Sequence, residues 1–183
     1  LPYSQESFSV PNNVYIIGTM NTADRSLAGL DLALRRRFDF KEMMPDVSTL
    51  NGLEVNGIEI DTLLSVINQR IEVLLDREHT IGHAYFIGLN NTSTISDLAA
   101  IFKNKVIPLL QEYFYEDWEK INMVLGGNRF IAKKEFNNNL FKKPQNDAVQ
   151  LNNKTIWSIS ADNNVFEDAA QYTQIYAPIN NGA

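Results

Sequence analysis

Residues 14–20, Val-Tyr-Ile-Ile-Gly-Thr-Met, are a short, almost continuous apolar run rich in β-branched side chains. A run of that length without alternation predicts a strand buried on both faces, which a parallel sheet covered by helices provides. The run stops abruptly at residues 21–26, Asn-Thr-Ala-Asp-Arg-Ser, a turn in which Ser26 is placed to cap the next segment. Leu27, Leu30, Ala33 and Leu34 then recur at helical spacing, and this helix closes on Arg35, Arg36 and Arg37. Phe38, Phe40 and Met43 alternate with Asp39, Lys41 and Glu42, as in a strand with one buried face, and Pro45 ends it. Two strands bracketing a helix predict an α/β layer over residues 1–50.

A different pattern follows. Residues 51–57 read as a loop. Leu63, Leu64, Ile67, Ile71, Leu74 and Leu75 predict an amphipathic helix over 60–75. Residues 81–86 are a compact segment between helices. A long helix is expected over 94–115, kinked at Pro108, and a shorter one over 118–125, stopped by Gly126 and Gly127. Beyond that point asparagine becomes frequent. A hairpin about Asn152 and Asn153 within residues 149–160 and a short helix over 165–176 are expected. The predicted organisation is an α/β part over 1–50, a mainly helical part over 51–127 and an irregular or β tail over 128–183, with the main boundary between 45 and 57.

Composition limits the function classes. With 183 residues and 44% apolar side chains the chain can pack one core or two small ones. There is no apolar run near 18 residues, so no membrane span is expected, and no signal-peptide pattern opens the chain. Cysteine is absent, which removes disulfides and thiolate metal sites. A net charge of −6 argues against a dedicated nucleic-acid clamp, although Arg35, Arg36, Arg37 and Lys41 form a local basic patch. The start at Leu1, within a polar connection, is expected of a piece of a longer protein.

Several residues carry two readings. Asn21 lies at the carboxyl end of the predicted strand, where open α/β sheets place their ligand sites. Its amide can bond a phosphate oxygen and an attacking water, or simply hold a turn. Asp24 and Arg25 can serve a site, or pair locally near a helix start. Successive helical residues turn by about 100°, so the three arginines fan around the helix and at least one points away from its core. An Arg fork suits a phosphate and can act from a neighbouring subunit; it also complements a helix carboxyl end. His79 and His83 have HxxxH spacing, but Gly82 intervenes and no HExxH pattern follows, so a cap or junction role outranks zinc. No GxxxxGK[ST] loop, no apolar strand ending in Asp-Glu and no GxSxG elbow occurs.

The string from Val10 to Ser26, with Asp-Leu-Ala-Leu-Arg-Arg-Arg-Phe at 31–38, closely resembles the McrB family of AAA+ motors. Ile-Gly-His-Ala-Tyr-Phe at 81–86 and Pro-Leu-Leu-Gln-Glu-Tyr-Phe at 108–114 resemble that family's lid. The resemblance covers residues 8–125 and fades after Gly126. It implies the last strands of a P-loop AAA+ α/β subdomain followed by a helical lid. Asn21 matches the sensor 1 position, Asp24 and Arg25 the signature string near the catalytic centre and subunit interface, and Arg36 and Arg37 the arginine-finger region. His83 lies where the lid faces nucleotide, and Arg77 is a candidate sensor 2. The implied cofactors of the intact protein are GTP or ATP with magnesium. The implied partners are neighbouring AAA+ subunits in a homo-hexameric ring, an McrC-like nuclease, and 5-methylcytosine-bearing DNA held by an amino-terminal domain, in a prokaryotic cytoplasm. Because the phosphate loop and acidic strand are missing from this sequence, the chain alone is expected neither to bind nucleotide tightly nor to turn it over. Two other readings stand beside this one: a non-catalytic interaction module, and a DNA-contacting module using Arg35, Arg36 and Arg37.

Overall fold

The computed structural model describes residues 7, 9–21, 34–134 and 155–177. The chain divides into two compact units, Leu1–Phe40 and Lys41–Ala183.

In the first unit, residues 14–20 follow a turn in which the Val14 N–H donates to the Pro11 carbonyl at 3.2 Å. They form no strand, and Ile17 is 93% exposed. The expected strand buried on both faces is therefore absent from these residues. Such a strand owes its burial to neighbours on both edges and helices on both faces, and among the described residues no strand pairs with it. Residues 38–43 likewise form no strand, and Phe38, Phe40 and Met43 are exposed. Ser26 and most of the expected helix lie outside the described residues. Its end is visible, with the N–H groups of Arg37 and Phe38 both donating to the Leu34 carbonyl, at 2.8 and 3.0 Å.

The second unit opens with a 3₁₀ turn, Val47–Leu50, capped by the Asp46 side chain. A tight hairpin follows, β1 Glu54–Val55 and β2 Ile58–Glu59, where a loop was expected. Asn56 and Gly57 join the strands with φ of 51° and 79°. Both values are left-handed, as the turn that matches strand twist requires, and Asn-Gly is the pair that best tolerates them. The hairpin runs directly into helix α1, Ile60–Leu74, whose buried face is Ile60, Leu63, Leu64, Ile67, Asn68 and Ile71. Each of its aliphatic side chains contributes about 1.5–3 kcal/mol by leaving water.

Helix α2, Ile95–Ile101, starts with a reciprocal capping box between Thr94 and Asp97. Before Pro108 the chain widens into a π-helical segment, Phe102–Val106, and helix α3 continues over Ile107–Tyr113. The expected kink is thus an added residue in the turn. Pro108 has no N–H to return, and the Ile107 N–H reaches back to the Phe102 carbonyl instead. Helix α4, Trp118–Val124, ends where Gly126 and Gly127 take φ of 76° and 69° and the Gly127 N–H closes on the Asn122 carbonyl at 2.9 Å. Among the described residues no helix is long and apolar enough to cross a membrane.

The described residues of the expected tail contribute Phe130, Ile131, Val165, Phe166, Tyr172 and Ile175 to this core. Strand β3, Ile131–Lys134, pairs antiparallel with β4, Ile156–Ile159, in the register Ile131↔Ile159. So Ile156–Ile159 is a strand, as expected, but its partner is β3; the proposed turn at Asn152 and Asn153 lies outside the described residues. Two helices follow where one was expected, α5 Asn163–Phe166 and α6 Ala169–Tyr176. Phe130 stacks on Phe166 at 4.7 Å and meets Tyr172 at 4.8 Å, and Phe102 meets Tyr172 edge-on at 5.0 Å. These rings weld the carboxyl-terminal helices to the π segment. The Glu59 N–H donates to the Tyr176 hydroxyl, which ties α6 to the start of α1.

Candidate functional site

Two groups of residues carry the functional expectations, one in each unit.

In Leu1–Phe40, Asn21 and all three arginines are exposed. The Arg35 guanidinium lies over the Phe40 ring, 5.0 Å from its centroid. Arg36 forms no hydrogen bond or ion pair with a described residue, so its cationic fork faces solvent. Asp24 and Arg25 lie outside the described residues.

In Lys41–Ala183 the focus is the segment 76–86 that follows α1. Asp76 caps a 3₁₀ turn, Arg77–His79, by accepting from the N–H groups of Glu78 and His79 at 2.9 and 3.2 Å. Its carboxylate also meets His79 Nδ1 at 2.6 Å, and the His79 ring stands edge-on to Tyr113 at 4.9 Å. Burial opposes ionisation of Asp76, but the His79 hydrogen bond and charge, with the two backbone donors, outweigh it and hold the carboxyl below its ordinary range. Burial raises the Tyr113 hydroxyl.

Further along, Asn68 on α1 fixes the chain in both directions. Its amide donates to the Ile81 carbonyl at 2.9 Å, and its carbonyl accepts the Ile81 N–H at 2.7 Å. That bidentate clamp sets where Gly82 begins the next 3₁₀ turn, His83–Tyr85. His83 Nδ1 then accepts the Asp46 N–H at 3.1 Å. An accepting Nδ1 places the proton of the neutral ring on Nε2. Asp46 in turn is held below its ordinary range by side-chain and backbone hydrogen bonds from Ser48. Arg77 forms an ion pair with Glu42 and lies 3.9 Å from Glu78. Both side chains of the Arg77–Glu42 pair are more than half exposed, so it stabilises little.

His79 closes one 3₁₀ turn and His83 opens another, so they do not share a helical face. Among the described residues no group of three His, Asp or Glu is placed to hold a metal ion.

A shallow depression of about 520 Å³ lies at the end of α4, lined by Arg70, Asn122, Met123, Gly126, Gly127 and Gln174. Arg70 donates to the Val124 carbonyl at 2.9 Å, a cation on a helix carboxyl end. Partial burial lowers its pKa.

The sequence reading missed Asn68, Asp76 and Arg70. A signal existed for one of them. Position 68 falls on the apolar stripe of Leu64, Ile67 and Ile71, and a polar residue there must find partners inside.

Residues 59–122 match the family model described as McrB, alpha-helical lid domain. The chain is also 40% identical over 135 residues to the type IV methyl-directed restriction enzyme EcoKMcrB subunit of Escherichia coli strain K12. That similarity covers 64% of this chain and 29% of the relative. The matched lid begins at the end of β2 and reaches into α4, whereas the packed core continues through α6.

Proposed function

We propose, from the premise that this chain is McrB-like and carries the α-helical lid of that family, that it is the carboxyl-terminal half of a nucleotide-driven AAA+ motor in a modification-dependent DNA restriction system. The observation that carries this reading is the lid match over residues 59–122, supported by the identity to a methyl-directed restriction subunit.

In this reading the lid closes over a nucleoside triphosphate, GTP or ATP, whose phosphoanhydride hydrolysis supplies the energy. Asn21 acts as sensor 1, its amide orienting the attacking water against a terminal phosphate oxygen. Arg36 and Arg37 are the finger that one subunit offers to its neighbour's nucleotide, where a guanidinium fork neutralises charge developing on the transferred phosphoryl group. Asp24 and Arg25 serve the same centre and the subunit interface. His83 has Nε2–H left as its donor toward the nucleotide, because Nδ1 is taken by the Asp46 N–H. The exposed amide and guanidinium groups suit phosphate oxygens. The sequence has neither a GxxxxGK[ST] loop nor a strand ending in Asp-Glu, so the phosphate cradle and the magnesium ligands belong to other residues of the intact motor. Assembly into a ring, an McrC-like nuclease partner and recognition of methylated DNA by a further domain complete the proposal.

Subunit mixing of the full-length protein tests it. Asn21→Ala damages a subunit's own site, whereas Arg36→Ala with Arg37→Ala damages the neighbour's. Each variant alone should lose about 10³-fold or more in turnover while retaining nucleotide binding. Mixed in equal amounts they should regain activity, because about one interface in four then pairs an intact sensor with an intact finger. If the mixture is no more active than its two components, the trans-acting assignment is wrong.

A further inference from the structure

The net charge of −6 is a sum of unlike parts. The sequence from 129 to 154 holds six of the sixteen Lys and Arg residues but two of the twenty-two Asp and Glu, so it carries +4 while the rest of the chain carries −10. At the head of that stretch lies the two-stranded ribbon of β3 and β4. Burial falls along it. Ile131 is 3% exposed where the ribbon leaves the core, and Ala132, Lys133 and Lys134 are exposed beyond it.

The register sets Lys133 opposite Trp157 and Lys134 opposite Ile156. Lys133 Nζ lies over the Trp157 ring, 5.2 Å from its centroid, so the ring holds the ammonium without neutralising it. Neither lysine forms an ion pair with a described residue, whereas Lys120 on α4 pairs with Asp117 at 3.2 Å. A third cation, Lys103, stands at the ribbon's root, over the Phe166 ring that stacks on Phe130, and its hydrogen bond goes to the neutral Asn163 side chain at 2.6 Å. Cations left without acids in a chain richer in acids suit a polyanion outside it.

Shape selects among polyanions. Side chains alternate across a strand, so Lys133 and Lys134 stand on opposite faces of the ribbon. The major groove of duplex DNA, about 12 Å wide, admits a two-stranded ribbon between two lines of phosphates. One ammonium on each face then meets both walls, whereas a flat acidic protein surface would meet one face only.

We propose that the β3–β4 ribbon is a sequence-independent contact for the phosphate backbone of duplex DNA, carried by Lys133 and Lys134. The inference rests on the DNA-restriction reading above. Phosphate contacts carry no base information, so the contact serves methylated and unmethylated duplex alike.

Fluorescence anisotropy of the full-length protein on a labelled unmethylated duplex, read across a salt series, tests this. Lys133→Ala with Lys134→Ala should weaken binding roughly tenfold at low salt and reduce the slope of log affinity against log salt by about 2. Lys133→Arg with Lys134→Arg should keep affinity within about twofold, and Lys120→Ala should leave it unchanged. Both ribbon lysines are exposed, so the melting midpoint should stay in place. An unchanged affinity and slope in the double alanine variant overturn the contact. If that variant keeps its DNA affinity but self-associates less in sedimentation velocity, the ribbon serves an acidic protein surface and the contact is again overturned. Nucleotide turnover of the same preparations keeps the two readings apart. A parent without turnover overturns the motor, and a parent with turnover that binds no duplex overturns the contact alone.

Discussion

Asn68 concentrates a large share of the second unit's stability in one side chain. It is 9% exposed, and it satisfies both backbone groups of Ile81, itself 1% exposed. Asn68→Ala removes both bonds at once and strands a buried N–H and a buried carbonyl. Each orphaned backbone group costs about 1–3 kcal/mol, because its desolvation is no longer compensated. The sum predicts a loss of about 3 kcal/mol, against roughly 0.5 kcal/mol or less for Gln69→Ala on the exposed face of the same helix. Urea unfolding followed by circular dichroism gives the difference from the midpoints. Hydrogen exchange supplies the local readout, since the Ile81 amide should lose its protection before the amides of α1. The consequence extends to function. Ile81 precedes Gly82, so loosening it frees the turn that places His83. A loss below about 1 kcal/mol with the Ile81 amide still protected would refute the clamp.

Two further predictions follow from the same unit. At Gly126 an added Cβ would stand 3.1 Å from the Ile175 Cα and 3.1 Å from Arg70 Nη1, at a φ of 76°. Gly126→Ala should cost about 2–4 kcal/mol in thermal unfolding, whereas Gly127→Ala, strained but in open space, should cost about 1 kcal/mol. The Asp76 carboxyl is held below its ordinary value of 3.8 in the folded state, so the stability it contributes is present above that pH. It is lost as pH falls below about 4 and through the folded-state value. Unfolding midpoints measured from pH 5 downward should decline, and Asp76→Asn should flatten that decline.

The sequence was most legible where structure is local. The apolar stripe from Leu63 to Ile71 and the double glycine after Leu125 each act through neighbours within a turn or so, and each has its expected effect. The hairpin at Asn56 and Gly57 stands where a loop is expected, although its turn pair is equally local and a strong signal. Residues 14–20 show the opposite case. β-branched composition describes what a strand would bury, but pairing partners decide whether a strand forms, and among the described residues none pairs with this run. Pro108 predicts a kink, and the chain instead widens into the π-helical segment Phe102–Val106 ahead of it. Whether the chain bends or widens around it depends on the packing of Phe102, Val106 and Ile107, all buried.

By itself the sequence determined the helical character of residues 60–74 and 118–124 and the resemblance that the lid match supports, because periodicity, caps and motifs are written in short stretches of chain. The tertiary structure alone decided that β3 pairs with β4, that Phe130 and Tyr172 close the core around Phe102, and that Asn68 clamps Ile81. Those outcomes join residues from 13 to 70 positions apart (Asn68 to Ile81 and Phe102 to Tyr172). Over such separations burial and hydrogen-bond satisfaction select the partner, and no local preference encodes it.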